Sequence, residues 1–173
     1  MELKTGGVHH MALVCKDMAA THDFYTRVMK MKLTAAITVP PYPEDEAMHL
    51  FYDMGGGNQL AFFWFKHAPD TVISQARPET VASVSAHGSM HHVAFSVDSE
   101  DIEGAWRDHL KAMGVKVTPM IDHGFCKSIY FQDPDGIQLE ISYWVRVLDH
   151  RDIEADVLKR AGISLEAATP VAV

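Results

Sequence analysis

His9-His10-Met11-Ala12-Leu13-Val14 stands near the start of the chain, and His91-His92-Val93-Ala94-Phe95-Ser96-Val97 says the same thing in the second half. Each stretch is a strand-like run opened by two histidines. Each is followed by an acidic residue, Asp17 or Asp98, and then by a helix-like segment. Each half later returns to a glycine-then-strand segment, Gly57-Asn58-Gln59-Leu60-Ala61-Phe62 in the first and Gly136-Ile137-Gln138-Leu139-Glu140-Ile141 in the second. An internal repeat with histidines at matching places predicts two similar modules related by a pseudo-two-fold, with a metal between them.

Working outward from the first repeat, residues 8–15 read as a strand. Asp17 is placed as an N-cap, and Ala19–Met29 has helical spacing. Leu33–Val39 reads as a strand, and the prolines of Pro40-Pro41-Tyr42-Pro43 make a loop because proline cannot donate to a ladder. Met48–Met54 and Gln59–Phe65 read as a hairpin joined by Gly55-Gly56-Gly57. Module one, residues 8–65, is thus βαβββ. Residues 66–89 read as a linker with room for a short helix. Module two, residues 90–144, repeats the order. Its strand covers His91–Val97, and its helix covers Ile102–Met113 with Gly114 as a left-handed stop. Strands follow at Val115–Met120, Lys127–Gln132 and Ile137–Trp144, the last two joined by the turn Asp133-Pro134-Asp135-Gly136. An extension, residues 145–173, carries a helix over Asp152–Ala161 and a frayed end. The fold class expected is α+β: two paired βαβββ modules forming a cup-shaped mixed sheet around a metal site, in one domain of 173 residues.

The bulk properties exclude several classes. A hydrophobic content of 47% with 22% charged residues suits an ordinary globular protein. A net charge of −8 disfavours nucleic acid and anionic membrane surfaces as partners. No apolar run approaches the length of a membrane span. Two cysteines, Cys15 and Cys126, make no disulfide framework, and a cytoplasmic location is expected.

Strand alternation sorts the paired histidines. His91 shares a face with Val93, Phe95 and Val97, which packs on the helix. His92 shares the other face with Ala94 and Ser96. In module one His10 goes with Ala12 and Val14, and His9 with Met11, Leu13 and Cys15. The second histidine of each pair therefore faces the open side. In the last strand Glu140 alternates with Leu139 and Ile141 and points to that side too. His10, His92 and Glu140 make a two-His-one-carboxylate set suited to Fe, Mn, Co, Ni or Zn in the divalent state, with cis positions open. A single His-His pair is more often two exposed residues at a strand start; repetition at equivalent places reverses that balance.

These residues resemble the vicinal oxygen chelate superfamily, which includes glyoxalase I, methylmalonyl-CoA epimerase, fosfomycin-resistance proteins and type I extradiol dioxygenases. The resemblance covers roughly residues 8–144 and rests on His10 ahead of Phe24-Tyr25, on His92–Val97, and on Asp133–Glu140. It implies that His10, His92 and Glu140 are metal ligands. Glyoxalase I and the epimerases add a fourth ligand from the last strand of module one, and the repeat places Ala61 there; Gln59 is on the same face but out of register. The run Ile121-Asp122-His123 followed by Ile129-Tyr130 and Asp133-Pro134-Asp135-Gly136-Ile137-Gln138-Leu139-Glu140 is similar to the extradiol ring-cleavage signature. That likeness implies catalytic roles for His123 and Tyr130. The chain departs from most such enzymes in having one paired-module domain, and in carrying Lys30 where a helix-end glycine is usual. The family's further acid/base histidine is not placed by motif, with His67 and His87 both in the linker region.

The leading expectation is an Fe(II)-dependent extradiol-type dioxygenase acting with O₂ on a small aromatic substrate with vicinal oxygens. Mn(II), Zn, Ni and Co are the other metals considered, and a homodimer is expected. The competing expectations are a glyoxalase- or epimerase-type isomerase or lyase, a fosfomycin-type transferase, and a non-catalytic resistance protein that sequesters its ligand. Phe63 and Phe65, on the face of Ala61, would suit an aromatic substrate; ordinary core packing is their plainer reading. Fold alone does not choose among these chemistries.

Overall fold

The computed structural model describes residues 7–68 and 90–164. Module one contains β1 (His10–Val14), α1 (Met18–Asp23), β2 (Lys32–Thr38), β3 (Ala47–Gly55) and β4 (Asn58–Phe65). Module two contains β5 (Val93–Ser96), α2 (Glu100–Ala112), β6 (Ile121–Asp122), β7 (Cys126–Gln132) and β8 (Gln138–Trp144). A short 3-10 turn, His150–Asp152, and α3 (Ala155–Ala161) follow. The two sheets have the same topology, β1-β4-β3-β2 and β5-β8-β7-β6. In each the first strand runs parallel to the last, and the other pairs are antiparallel. The α+β repeat expected from the sequence is the fold. The expectations for residues 69–89, His87 among them, and for the frayed end lie outside the described residues.

The helices begin where their caps dictate. The Asp17 carboxylate accepts from the N–H groups of Ala19 and Ala20, and the Ser99 hydroxyl accepts from that of Ile102. After Asp23 the first helix widens into a π turn over Phe24–Val28, with the Met29 N–H donating to the Phe24 carbonyl at 2.9 Å. The chain leaves this turn through Lys30, which holds the left-handed φ of 58°. That is the position where the sequence carries lysine in place of glycine.

Two expectations are corrected. The strand placed at Val115–Met120 is not a regular one. Thr118 donates its N–H to the Tyr130 carbonyl at 3.0 Å, but its side-chain hydroxyl takes the Tyr130 N–H at 2.9 Å, in the place of a backbone partner. The regular ladder with β7 is therefore confined to Ile121–Asp122. The strand placed at His91–Val97 begins only at Val93, so the two histidines lead into it.

The modules share one apolar core. Tyr25, Tyr52, Leu60 and Phe62 from module one and Leu110, Ile129, Leu139 and Ile141 from module two lie in a single buried cluster. Polar contacts cross the same seam. The Tyr25 hydroxyl donates to Asp133 Oδ2 at 3.1 Å, the Lys16 N–H to Asp135 Oδ1 at 3.0 Å, and His109 Nε2 meets the Val28 carbonyl at 2.8 Å. The helix-facing sides of both sheets thus point into the shared core; their other faces carry the buried His49, Ala61, Ser128, Tyr130 and Glu140 beside the exposed His10, Ala12 and Ala94.

Candidate metal centre

The open face of the second sheet gathers the chemistry. Glu140 sits on β8 between Ala94 of β5 and Tyr130 of β7. Ala94 is small and exposed, so the carboxylate has room on that side. Its Oε2 lies 2.9 Å from His92 Nε2, and the Ser128 hydroxyl donates to its Oε1 at 2.5 Å. Burial pushes the Glu140 carboxyl up, but the His92 and Ser128 hydrogen bonds outweigh it and hold the group below the usual carboxylate range. It is a carboxylate at neutral pH.

Tyr130 stands beside it. Its hydroxyl lies 3.1 Å from His123 Nε2, and its ring meets that of His92 edge-on at 6.0 Å. Burial, followed by the nearby Glu140 charge, pushes the Tyr130 phenol up to about 12. It stays a donor throughout the physiological range. His123, Tyr130, Glu140 and His92 therefore form one continuous row across the sheet.

His10 lies on the matching face of the first sheet. Met11 and Leu13 pack toward the core, while His10, Ala12 and Val14 are exposed. The register repeats faithfully: Ala12 pairs with Ala61 as Ala94 pairs with Glu140, each two residues beyond its histidine. Ala61 is thus the counterpart of Glu140, as the sequence match placed it. Gln59 is engaged elsewhere, accepting from the Thr34 hydroxyl at 2.6 Å. The two His-His pairs also adopt the same conformation. Their Nδ1 atoms approach to 2.9 Å at His9-His10 and 2.7 Å at His91-His92, with ring planes 80° apart in both. An Nδ1 engaged in this way leaves the Nε2 of the second histidine to meet other groups, as that of His92 meets Glu140.

The structure brings His92 and Glu140 together and leaves His10 apart from them. Among the described residues no three of His, Cys, Asp and Glu converge on one point as a metal would require. The donors nonetheless fit a divalent ion. An imidazole Nε2 and an ionised carboxylate meet at hydrogen-bond distance, where an ion can replace the shared proton, and a second exposed imidazole, that of His10, stands on the equivalent face.

One functional candidate was not singled out from the sequence. His49 on β3 is 8% exposed, and its Nε2 has no hydrogen-bond partner among the described residues. It lies at the centre of an aromatic floor on the open face of sheet one: its ring is 4.2 Å from Phe51 and 3.5 Å from Phe63, with Phe65 beyond. Phe51 in turn reaches His10 at 6.2 Å. Burial, with the nearby His10 second, lowers the His49 pKa, so its imidazole is neutral at neutral pH. Alternation in Met48–Met54 carried the signal, since Met48, Leu50 and Tyr52 go to the core and His49 must face the other way. His67 instead lines a cleft of about 1040 Å³ with Val14, Lys16, Tyr42 and Phe65, at the far end of that floor.

Two βαβββ modules of one topology, each with a His-His pair leading into its first strand, define the fold class. The chain belongs to the Glyoxalase/Bleomycin resistance protein/Dioxygenase superfamily, whose sequence pattern it matches over residues 7–141. It is 34% identical over 55 residues to the Bacillus subtilis protein named "Putative ring-cleaving dioxygenase MhqA"; the match spans 32% of this chain and only 17% of that protein. It is 26% identical over 137 residues to the metallothiol transferase FosB of Bacillus licheniformis, spanning 78% of this chain and 73% of that one. Among solved structures, a glyoxylase/bleomycin resistance protein/dioxygenase domain from Frankia sp. EAN1pec is similar in fold, with a TM-score of 0.64, 20% identity, and coverage of 82% of this chain and 99% of that chain. Among the described residues, no helix is long and apolar enough to cross a membrane.

Proposed function

We propose that the protein is a metal-dependent dioxygenase that opens a catechol-like ring beside one of its two hydroxyls. His10, His92 and Glu140 would hold the ion, Fe(II) on this reading. An ion held by these residues would supply Lewis-acid polarisation of two vicinal substrate oxygens. The observation that carries the reading is the row His123–Tyr130–Glu140, which places a phenol donor and an imidazole directly beside the proposed ligand. Tyr130 is suited to donate a hydrogen bond to a developing oxyanion, and His123 to orient that hydroxyl. His49, neutral and with no partner for its Nε2 among the described residues, is suited to accept a substrate proton. The aromatic floor around it favours a planar ring. Both atoms of O₂ enter the ring-opened product, so no external reductant is needed. Ala61 removes the fourth ligand of the isomerase-type sites and supports an open centre.

Protein purified anaerobically should contain stoichiometric iron and consume one O₂ per catechol opened. Glu140→Ala should remove the metal. Zinc or nickel in the native protein, with no oxygen uptake on any 1,2-diol, would sink the dioxygenase reading. The likeness to FosB extends over more of the chain than the dioxygenase likeness does. A thiol transferase using the same donors is therefore the second reading, and transfer of a thiol to an epoxide without oxygen uptake would establish it.

A further inference from the structure

Glu140 gives its two carboxylate oxygens to different partners. Oε2 lies 2.9 Å from His92 Nε2, and Oε1 accepts from the Ser128 hydroxyl at 2.5 Å. Ser128 has no solvent exposure, and Glu140 is 5% exposed. A serine hydroxyl has one proton to give. Its rival acceptor is Ser142 Oγ, at 3.0 Å. A hydroxyl bonded to an ionised oxygen sits at about 2.5–2.7 Å and is held about twice as strongly as in a neutral pair. The proton therefore goes to Glu140. Ser142 has an acceptor of its own in the Lys127 carbonyl, at 3.1 Å. Burial alone does not bring such donors. Glu103, also without exposure, has no partner for either carboxylate oxygen among the described residues.

The internal repeat supplies an independent comparison. On β7 and β8, Tyr130 pairs with Glu140 and Ser128 with Ser142. The same ladder positions on β3 and β4 hold Phe51 paired with Ala61 and His49 paired with Phe63. Ala61 is the counterpart of Glu140, so His49 is the counterpart of Ser128 and Phe63 that of Ser142. Where the carboxylate is missing, both hydroxyls are missing too, and a stacked imidazole and phenyl ring stand in their place. The backbone ladder is the same in the two modules, so it does not call for serine at this position. The hydroxyl goes with the carboxylate.

We propose that Ser128 is a positioning residue of the metal centre, holding Oε1 of Glu140 so that Oε2 alone is turned toward His92 and the ion. A carboxylate pinned through one oxygen offers a single donor. Its second oxygen is then kept from a coordination position that two vicinal substrate oxygens need. The proposal rests on the ligand assignment made under the proposed function and adds to it the residue that sets how Glu140 is presented.

Co(II), added alone to the metal-free protein, tests it. Affinity is read by competition with a chelator, the donor set by visible absorption, and folding of each metal-free variant by urea unfolding. Ser128→Ala should bind Co(II) at the wild-type stoichiometry but about 10–100-fold more weakly, the usual cost of removing the partner of a metal ligand. Its visible band at saturation should shift, because Oε1 is released. Ser128→Thr and Ser128→Val hold packing nearly constant, since both are β-branched residues suited to a strand. The threonine variant should match wild type in affinity and band, and the valine variant should match Ser128→Ala. Ser142→Ala should leave both readings unchanged. Threonine and valine variants that bind alike, or a Ser128→Ala that binds as wild type beside a Glu140→Ala that binds none, overturn the positioning role and leave the ligand assignment standing. An equal weakening in Ser142→Ala does the same, because it traces the loss to packing. A wild type that binds no Co(II), or a Glu140→Ala that binds it as tightly as wild type, overturns the ligand assignment and this proposal with it.

Discussion

The imidazole of His49 lies stacked on the ring of Phe63, their centroids 3.5 Å apart and their planes 15° from parallel. The stack fixes the orientation of the histidine, and its Nε2 has no partner among the described residues. A buried polar atom normally finds a hydrogen bond, and one that lacks it asks for a ligand. On the proposed function, replacing His49 with Gln should lower kcat for ring opening by about 10²–10⁴, the usual contribution of a positioned base. Iron content and the midpoint of unfolding should change little. Full turnover in the variant would reduce His49 to a packing residue.

Tyr130 offers a separate test because its hydroxyl lies 3.1 Å from His123 Nε2, beyond the edge-on contact of their rings. Tyr130→Phe keeps the ring against His92 and removes the donor. We expect kcat to fall about a hundredfold, in the range for loss of one oxyanion-stabilising donor. KM should stay near its wild-type value and metal binding should be intact. An equal loss of metal would show instead that the hydroxyl serves Glu140.

Lys30 holds a left-handed backbone angle that L-residues adopt at a cost of about 1–2 kcal/mol. Glycine adopts it freely but gains freedom in the unfolded chain, which offsets part of the relief. Lys30→Gly should therefore stabilise the fold by about 0.5–1 kcal/mol, read as a higher urea midpoint at unchanged slope. A lower midpoint would mean that the lysine stem packs more than its exposed position suggests.

Much of the fold was legible because period-two alternation and repetition reinforce each other. His10 and His92 could be assigned to the open faces, and Ala61 matched to Glu140, before any strand pairing was known. The register of β1 on β4 and of β5 on β8 repeats that match. What alternation cannot show is a side chain taking the place of a backbone partner. Thr118 does this opposite Tyr130, and the strand placed at Val115–Met120 gives way to irregular backbone with the ladder starting after it. The π turn after Asp23 is likewise invisible to a helical pattern, since Phe24, Tyr25 and Val28 stay buried in either winding. Nor does alternation say which sheet faces which. Tyr25 and Asp133 decide that, through a bond between modules whose two residues are far apart in sequence.

Glu103 supplies a prediction about pH. It lies on α2 with no solvent exposure, and neither carboxylate oxygen has a hydrogen-bond partner among the described residues. Burial first, then the charges of Glu100 and Glu140, push its pKa from 4.5 to about 7. The folded state therefore keeps this proton over a range where the unfolded chain has lost it. Stability must fall as pH rises from about 4.5 and level off above about 7, because the folded state binds more protons throughout that window. At about 1.4 kcal/mol for each pH unit between the two values, the penalty above pH 7 is at most about 3–4 kcal/mol. Glu103→Met keeps the length of the side chain and removes the charge. The variant should be stabilised more at pH 8 than at pH 5, and its stability should decline less steeply between them, the remainder coming from Asp133, whose carboxyl is pushed up to about 6 by burial. Urea unfolding at several pH values measures this directly. A variant whose stability still declines between pH 5 and 7 as steeply as wild type would place the responsible proton on another group.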